Sequence, residues 1–243
     1  MTLKDQANQV YWQVTDETFY IRAWYAGTGE AYTNIPISDN SNTWSTPINQ
    51  STLETLNQAD FLFAYQSLPF NNRTQAGLAF RHLTSRITIN LKESEYLRAQ
   101  LDKDVSVALV ATTPQRWHYG GSFTGSNTAL SLEEIQEFVQ NIDQIIPYQL
   151  LQPNSDAYAT YRAVVIPQGI TGTGKAIQVR VGRATYQWKI DLTNNEELHP
   201  MLLSGYEYTL NIEVGAKGLQ VQIDTSIGWD SDGANGSGSV TLP

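Results

Sequence analysis

Ile87-Thr88-Ile89-Asn90-Leu91 alternates apolar and polar residues, so Ile87, Ile89 and Leu91 share one face of an extended chain and Thr88 and Asn90 take the other. Ile177-Gln178-Val179-Arg180-Val181 repeats the pattern. The break Val181-Gly182-Arg183-Ala184, ahead of Thr185-Tyr186-Gln187-Trp188, predicts a hairpin. After Gly205, which permits a tight entry, Tyr206, Tyr208, Leu210 and Ile212 fall on one face and Glu207, Thr209 and Asn211 on the other. Strands of this kind cover a core on one side and leave the other side wet, as half-buried antiparallel sheets do.

Working outward, short alternating runs separated by Gly, Asn, Asp and Pro dominate the chain and predict an all-β fold. Strands are expected over 18–25, 60–66, 79–82, 86–91 and 105–111, and again over 161–166, 176–181, 184–190, 206–214 and 219–223. Residues 131–146 break the pattern. Ser131 and Glu134 form a capping box, and Leu132, Ile135, Val139 and Ile142 recur at helical spacing, which predicts one short helix. Residues 94–101 are a lesser helical candidate. The polar, proline-bearing stretch 149–157 lies between apolar segments and reads as a linker, giving two domains, 1–152 and 153–243. Residues 231–239, SDGANGSGS, form the one low-complexity stretch.

Composition narrows the function classes. The chain has 243 residues, 41% hydrophobic and 11% aromatic, which is ample material for packed cores. Its net charge of -9 and only 15 basic residues oppose phosphate neutralisation, so nucleic acid is not an expected partner. The absence of cysteine removes disulfides, thiolate metal sites and a cysteine nucleophile together. The start, MTLKDQANQVYW, lacks the basic and apolar regions of a signal peptide, so the chain is either cytosolic or has lost its export segment.

Candidate chemistry meets plain structural alternatives. Gly169-Ile170-Thr171-Gly172-Thr173-Gly174-Lys175 has the glycine and lysine spacing of a phosphate loop, but Ala176 stands where a magnesium-binding Ser or Thr belongs, and strand alternation follows instead of a helix. It reads as a turn between strands, and Lys175→Ala is expected to leave fold and ligand binding unchanged. Asp230-Ser231-Asp232-Gly233 lacks the distal glutamate of a calcium loop, and His82, His118 and His199 lack metal-ligand spacing, so no metal, cofactor or catalytic residue is assigned. Adjacent carboxylates such as Glu133-Glu134 read as solvated charge. Trp117, in a turn-rich segment, is the aromatic best placed to contact a sugar. Burial against its own domain is the plainer reading.

Several stretches bear a family resemblance: Tyr161-Arg162-Ala163-Val164-Val165-Ile166-Pro167-Gln168, Leu203-Ser204-Gly205-Tyr206-Glu207-Tyr208-Thr209-Leu210-Asn211-Ile212 and Ile227-Gly228-Trp229, with Asp60-Phe61-Leu62-Phe63-Ala64 and the run Phe80 to Leu91 earlier. Together they resemble the fimbrillin (Mfa-like) family. The resemblance implies two tandem transthyretin-like β-sandwiches, no enzymatic activity, and a pilus or adhesive subunit at the cell surface or outer membrane. It also implies export as a lipidated precursor and other pilus subunits as partners. A host glycan or protein receptor is a further implied partner, and a carbohydrate- or receptor-binding lectin is the alternative function. In the family an arginine-directed protease removes an N-terminal strand, and a neighbour's strand fills the groove. The earliest arginine here is Arg22, inside Phe19-Tyr20-Ile21-Arg22-Ala23-Trp24-Tyr25, where an outward strand position is the plain alternative to a processing site. At the other end Ser239-Val240-Thr241-Leu242-Pro243 alternates, so Val240 and Leu242 are the candidate donor-strand residues, with fraying as the plain alternative. The isolated chain is expected to be a monomer, its tail folding back on itself.

Overall fold

The computed structural model describes residues 15–26, 42–72, 77–99, 104–112, 116–123, 137–154, 156–170, 174–190, 201–223, 227–229 and 238–239. Strands dominate them, as the alternation predicts. At the centre is β6 (Ser85–Lys92), which pairs antiparallel with β12 (Ala157–Val165) and parallel with β15 (Tyr206–Gly215). The sheet runs β11-β12-β6-β15-β16, where β11 is Tyr148–Gln149 and β16 is Gly218–Ile223, with β17 (Ile227–Gly228) also on β15. A second sheet runs β10-β7-β13-β14, made of Gln144–Ile145, Val105–Ala111, Lys175–Val181 and Ala184–Lys189.

These two sheets form a sandwich. Its core draws Ile87, Ile89 and Leu91 from β6 and Tyr208, Leu210 and Ile212 from β15. Leu109, Ile177 and Val179 from the second sheet join the same cluster. Each such side chain stabilises the fold by roughly 1.5–3 kcal/mol on leaving water. The parallel register sets Ile87 beside Tyr208, Ile89 beside Leu210 and Leu91 beside Ile212. A slip of one residue would turn Arg86 and Glu207 into this core, so burial fixes the register. Gly182 has φ +57 in the two-residue turn between β13 and β14, and Gly205 has φ +74 before β15, so the hairpin and the tight entry both form.

A smaller layer is built mainly from strands between residues 18 and 142. Here β1 (Thr18–Tyr25), β3 (Leu62–Pro69) and β5 (Arg81–His82) form one sheet, while β2 (Asn42–Ser45), β8 (Trp117–Phe123) and β9 (Glu137–Ile142) form another. Ala26, Trp44, Phe61, Phe63, Leu83 and Ile166 make its core. Two-residue strands β4 (Gly77–Leu78) and β18 (Gly238–Ser239) pair with each other.

The structure corrects four expectations. Where the helix over 131–146 is described, the chain is β9 and β10: Val139, Ile142 and Ile145 belong to strands, Trp117 pairs with Ile142, and Leu109 pairs with Ile145. β-branched residues suit a strand once partners are available, and those partners lie far away in sequence. Helix does form as α1 (Leu53–Gln58) and α2 (Glu95–Arg98), the latter inside the candidate 94–101 and capped by Ser94. The stretch 149–157 runs from the end of β11 to the start of β12, which pair as a hairpin: Leu150 N–H donates to Thr160 O at 2.9 Å and Asn154 Nδ2 donates to Asn90 Oδ1 at 3.0 Å. Both sandwich sheets take strands from either side of it, so a partition between 1–152 and 153–243 would cut through shared sheets. Finally, the central β6–β15 pair is parallel, an arrangement that a long connection permits and a hairpin does not.

Candidate functional site

The outer face of the larger sheet is buried as well. Thr88, Asn90, Glu207 and Asn211, all predicted to be wet, are at most 8% exposed. They satisfy one another: Thr88 Oγ1 donates to Glu207 Oε1 at 2.5 Å, Arg86 pairs with Glu207 Oε2, and Asn90 Nδ2 donates to Asn211 Oδ1 at 3.0 Å. Thr160 Oγ1 donates to Asn90 Oδ1 at 2.9 Å. Burial pushes the Glu207 carboxyl up, but hydrogen bonds from Arg86 and Thr88, with the charges of Arg86 and Arg162, outweigh it and hold the group below its ordinary value.

Helix α1 and Trp229 cover the Arg86 end of this polar ladder, while Asn154 of the β11–β12 loop donates to Asn90 at the other. Thr52 Oγ1 caps the Thr55 N–H at 3.1 Å while Thr55 Oγ1 accepts from the Thr52 N–H at 3.2 Å, so the six-residue helix is fixed where it sits. Its Leu56 and Ala59 pack on Val164 and Trp229. The Trp229 ring stacks on His82 with centroids 3.7 Å apart and lies 4.5 Å from the Arg86 guanidinium. His82 Nδ1 is 2.9 Å from Asp60 Oδ2, and Thr84 Oγ1 donates to Asp60 Oδ1 at 2.8 Å. Between α1, Tyr25, Tyr148 and the sheet remains a cavity of about 310 Å³, with Arg86 and Arg162 among its lining residues.

The residues singled out in the sequence are scattered. Trp117 begins β8, not a loop, and is 0% exposed with Nε1 donating to Val110 O at 3.0 Å, so it presents no face to a sugar. Lys175 is 2% exposed and donates through Nζ to Gly169 O at 2.7 Å. Residues 171–173 of the glycine-rich stretch lie outside the described residues, but its last residue, Lys175, is tied to its first, Gly169, so Lys175→Ala would remove a structural contact. Burial lowers the Lys175 amine to about 8, and burial together with the Lys175 charge lowers His118. Among the described residues no cluster of His, Cys, Asp and Glu is arranged to hold a metal, and no helix is long and apolar enough to cross a membrane.

Arg22 lies within β1, opposite Tyr65 of β3, and its Nη1 is buried without a hydrogen-bond partner. All eight residues of β1 are paired to β3, so the backbone at Arg22 is held in a ladder. Val240 and Leu242 fall outside the described residues. Just before them, Gly238 and Ser239 pair with Leu78 and Gly77. Among the described residues β1, β14 and β16 each pair on one side only. The β12 edge is closed differently: Gln50, 0% exposed, donates through Nε2 to Val164 O at 2.7 Å and accepts from Val164 N–H at 2.9 Å, standing in for a strand. Gln168 does the same toward His118, accepting from its N–H at 2.9 Å and donating to its carbonyl at 3.0 Å. Nothing in the local sequence marks Gln50, since it sits in a polar run, and α1 escaped notice because Thr stands at the capping-box position where Glu or Gln is usual.

The profile of the fimbrillin-like family matches residues 1–228, and the chain belongs to that family. The fold is similar to that of a candidate cell adhesion protein from Bacteroides uniformis, with a TM-score of 0.62 at 14% identity over 90% of this chain and 76% of that one. A second candidate cell adhesion protein, from Bacteroides ovatus, gives 0.59 at 16% identity over 91% and 70%. The fimbrial anchor protein Mfa2 from Porphyromonas gingivalis gives 0.40 at 13% identity over 88% and 76%, a likeness too loose to argue from. No curated protein sequence matches the chain.

Proposed function

We propose that this fimbrillin-like chain is a structural or adhesive subunit of a cell-surface pilus, joined to neighbouring subunits by strand exchange, and that it catalyses no reaction. The observation that carries the reading is family membership over residues 1–228. In this reading the chain reaches the outer membrane as a lipidated precursor, Arg22 is the processing site, and other fimbrial subunits are its partners. The paired state of β1 makes processing at Arg22 dependent on detachment of that strand, because a protease needs an extended, accessible backbone.

The tail 237–243, with Val240 and Leu242, is the donor. Support comes from Gly238 and Ser239 within it, which among the described residues hold to Leu78 and Gly77 over two pairs, a ladder that costs little to open. A strand so tethered returns to its own chain unless a vacant groove competes, which keeps the isolated chain monomeric. The test mixes intact chain, or chain lacking 237–243, with protease-treated partner subunits and reads ladders on gels. Ladders are expected with the intact chain and lost with the shortened one. Equal ladders from both would overturn the assignment of the tail.

A further inference from the structure

We propose that Tyr96 and Tyr186 are a site of oxidative cross-linking, at which a one-electron oxidant of the peroxidase class joins the two rings through a carbon–carbon bond beside their oxygens. The inference rests on this pair and is independent of strand exchange.

The two hydroxyl oxygens lie 2.7 Å apart, so one phenol donates to the other. Their rings meet edge to face with centroids 6.2 Å apart. In a phenoxyl radical the unpaired electron is shared between the oxygen and the ring carbons next to it, so phenols held oxygen to oxygen bring together the carbons that couple. Each ring gives up one electron and one proton, and the two carbons form the bond. The hydrogens on those carbons then move to the oxygens, which restores both phenols. Hydrogen peroxide takes up the two electrons and two protons and leaves as two waters.

Both residues sit on fixed backbone. Ser94 Oγ accepts from the Leu97 N–H at 3.2 Å and donates to Val214 O of β15 at 2.9 Å, and Leu97 is fully buried, so α2 is pinned. Tyr186 lies opposite Val179 in the β13–β14 ladder. Their side chains are half-buried, which leaves them open to an oxidant and gives the rings room to close. The link ties α2, held on β15 of one sheet, to β14 at the edge of the other, across 90 positions. A chain without cysteine has no disulfide to do this.

Exposure alone would choose another pair. Tyr20 is 69% exposed and stacks on Tyr65 with centroids 6.4 Å apart, but among the described residues no hydrogen bond joins those two oxygens. Contact between the oxygens therefore favours Tyr96 with Tyr186.

The experiment treats the intact chain at neutral pH with a haem peroxidase and hydrogen peroxide, digests it with trypsin and identifies linked peptides by mass. The main product is expected to be peptide 93–98 joined to peptide 184–189 with the loss of two hydrogens, in a chain that stays monomeric on denaturing gels and gains dityrosine fluorescence. Tyr96→Phe and Tyr186→Phe, which keep the ring and remove only the oxygen, should each lose that product, while Tyr20→Phe should retain it. The linked chain should also unfold at higher urea than Tyr186→Phe treated in the same way, because the bond closes a long loop in the unfolded chain. No linked product, a product dominated by Tyr20 with Tyr65 or by bonds between chains, or fluorescence that survives in both Phe variants would overturn the proposal. An equal urea midpoint would overturn the link's part in holding the two sheets together.

Discussion

Strand β6 turns Ile87, Ile89 and Leu91 to one side and Arg86, Thr88 and Asn90 to the other, and β15 matches it with Tyr208, Leu210 and Ile212 against Glu207 and Asn211. The first side is closed by the second sheet and the other by α1 and Trp229 at its Arg86 end and by Asn154 at its Asn90 end. One dry face is held by apolar packing, which is indifferent to pH and forgiving of direction. The second is held by hydrogen bonds and an ion pair, which gain little net energy when complete and cost much when one member is missing. The inner face thus supplies stability. The outer face supplies a penalty for wrong register, since Thr88, Asn90 and Arg86 find partners on β15 in one alignment alone.

The widest gap between the two faces is expected from truncating Glu207. Glu207→Ala leaves Arg86 without its buried counter-ion and should cost about 3–5 kcal/mol, read by urea unfolding at neutral pH. Ile89→Ala, in the inner core, should cost about 2–5 kcal/mol by cavity formation. Their pH profiles separate them. The folded carboxyl of Glu207 lies below its ordinary value of 4.5, so its stabilisation is present above that value and is lost as pH falls through the folded value. Ile89→Ala should keep this acid slope and Glu207→Ala should lose its share of it. An identical slope in both variants would mean that the outer face titrates elsewhere.

A smaller effect is expected where a single side chain replaces a strand. Gln50→Leu keeps the volume but strands the N–H and carbonyl of Val164, for an expected loss of about 1–3 kcal/mol. Hydrogen exchange should localise the loss to Val164 and its neighbours on β12. Unchanged protection there would show that water serves the edge as well as the amide does.

The smallest effect belongs to Lys175. Its folded pKa of about 8 is below the ordinary 10.5, so between those values the unfolded chain holds a proton that the native one has released, and stability rises with pH across that window. Lys175→Met should change stability at pH 7 by no more than about 1 kcal/mol, since a buried charge and its one carbonyl bond leave together. It should also flatten the rise between pH 8 and 10. A persistent rise in the variant would assign it to another group.

Alternation in 87–91, 177–181 and 206–212 determined which residues lie together on a face, and Gly182 and Gly205 marked where the chain turns, because side-chain direction and φ are local properties. The order of motifs likewise pointed to the family. Local patterns could not say whether Thr88 and Asn90 meet water, since that depends on partners such as Asn154, Thr160, Glu207 and Asn211, which follow them by roughly sixty to 120 residues. Trp117 and the stretch 149–157 were misplaced for a related reason: polar and glycine-rich neighbours look like loop or linker until a partner strand is found. The cavity beside Arg162 draws its walls from β1, α1, β11, β12 and Trp229. It was beyond the sequence altogether, because residues so far apart along the chain become neighbours only when tertiary pairing sets β6, β12 and β15 side by side in one sheet.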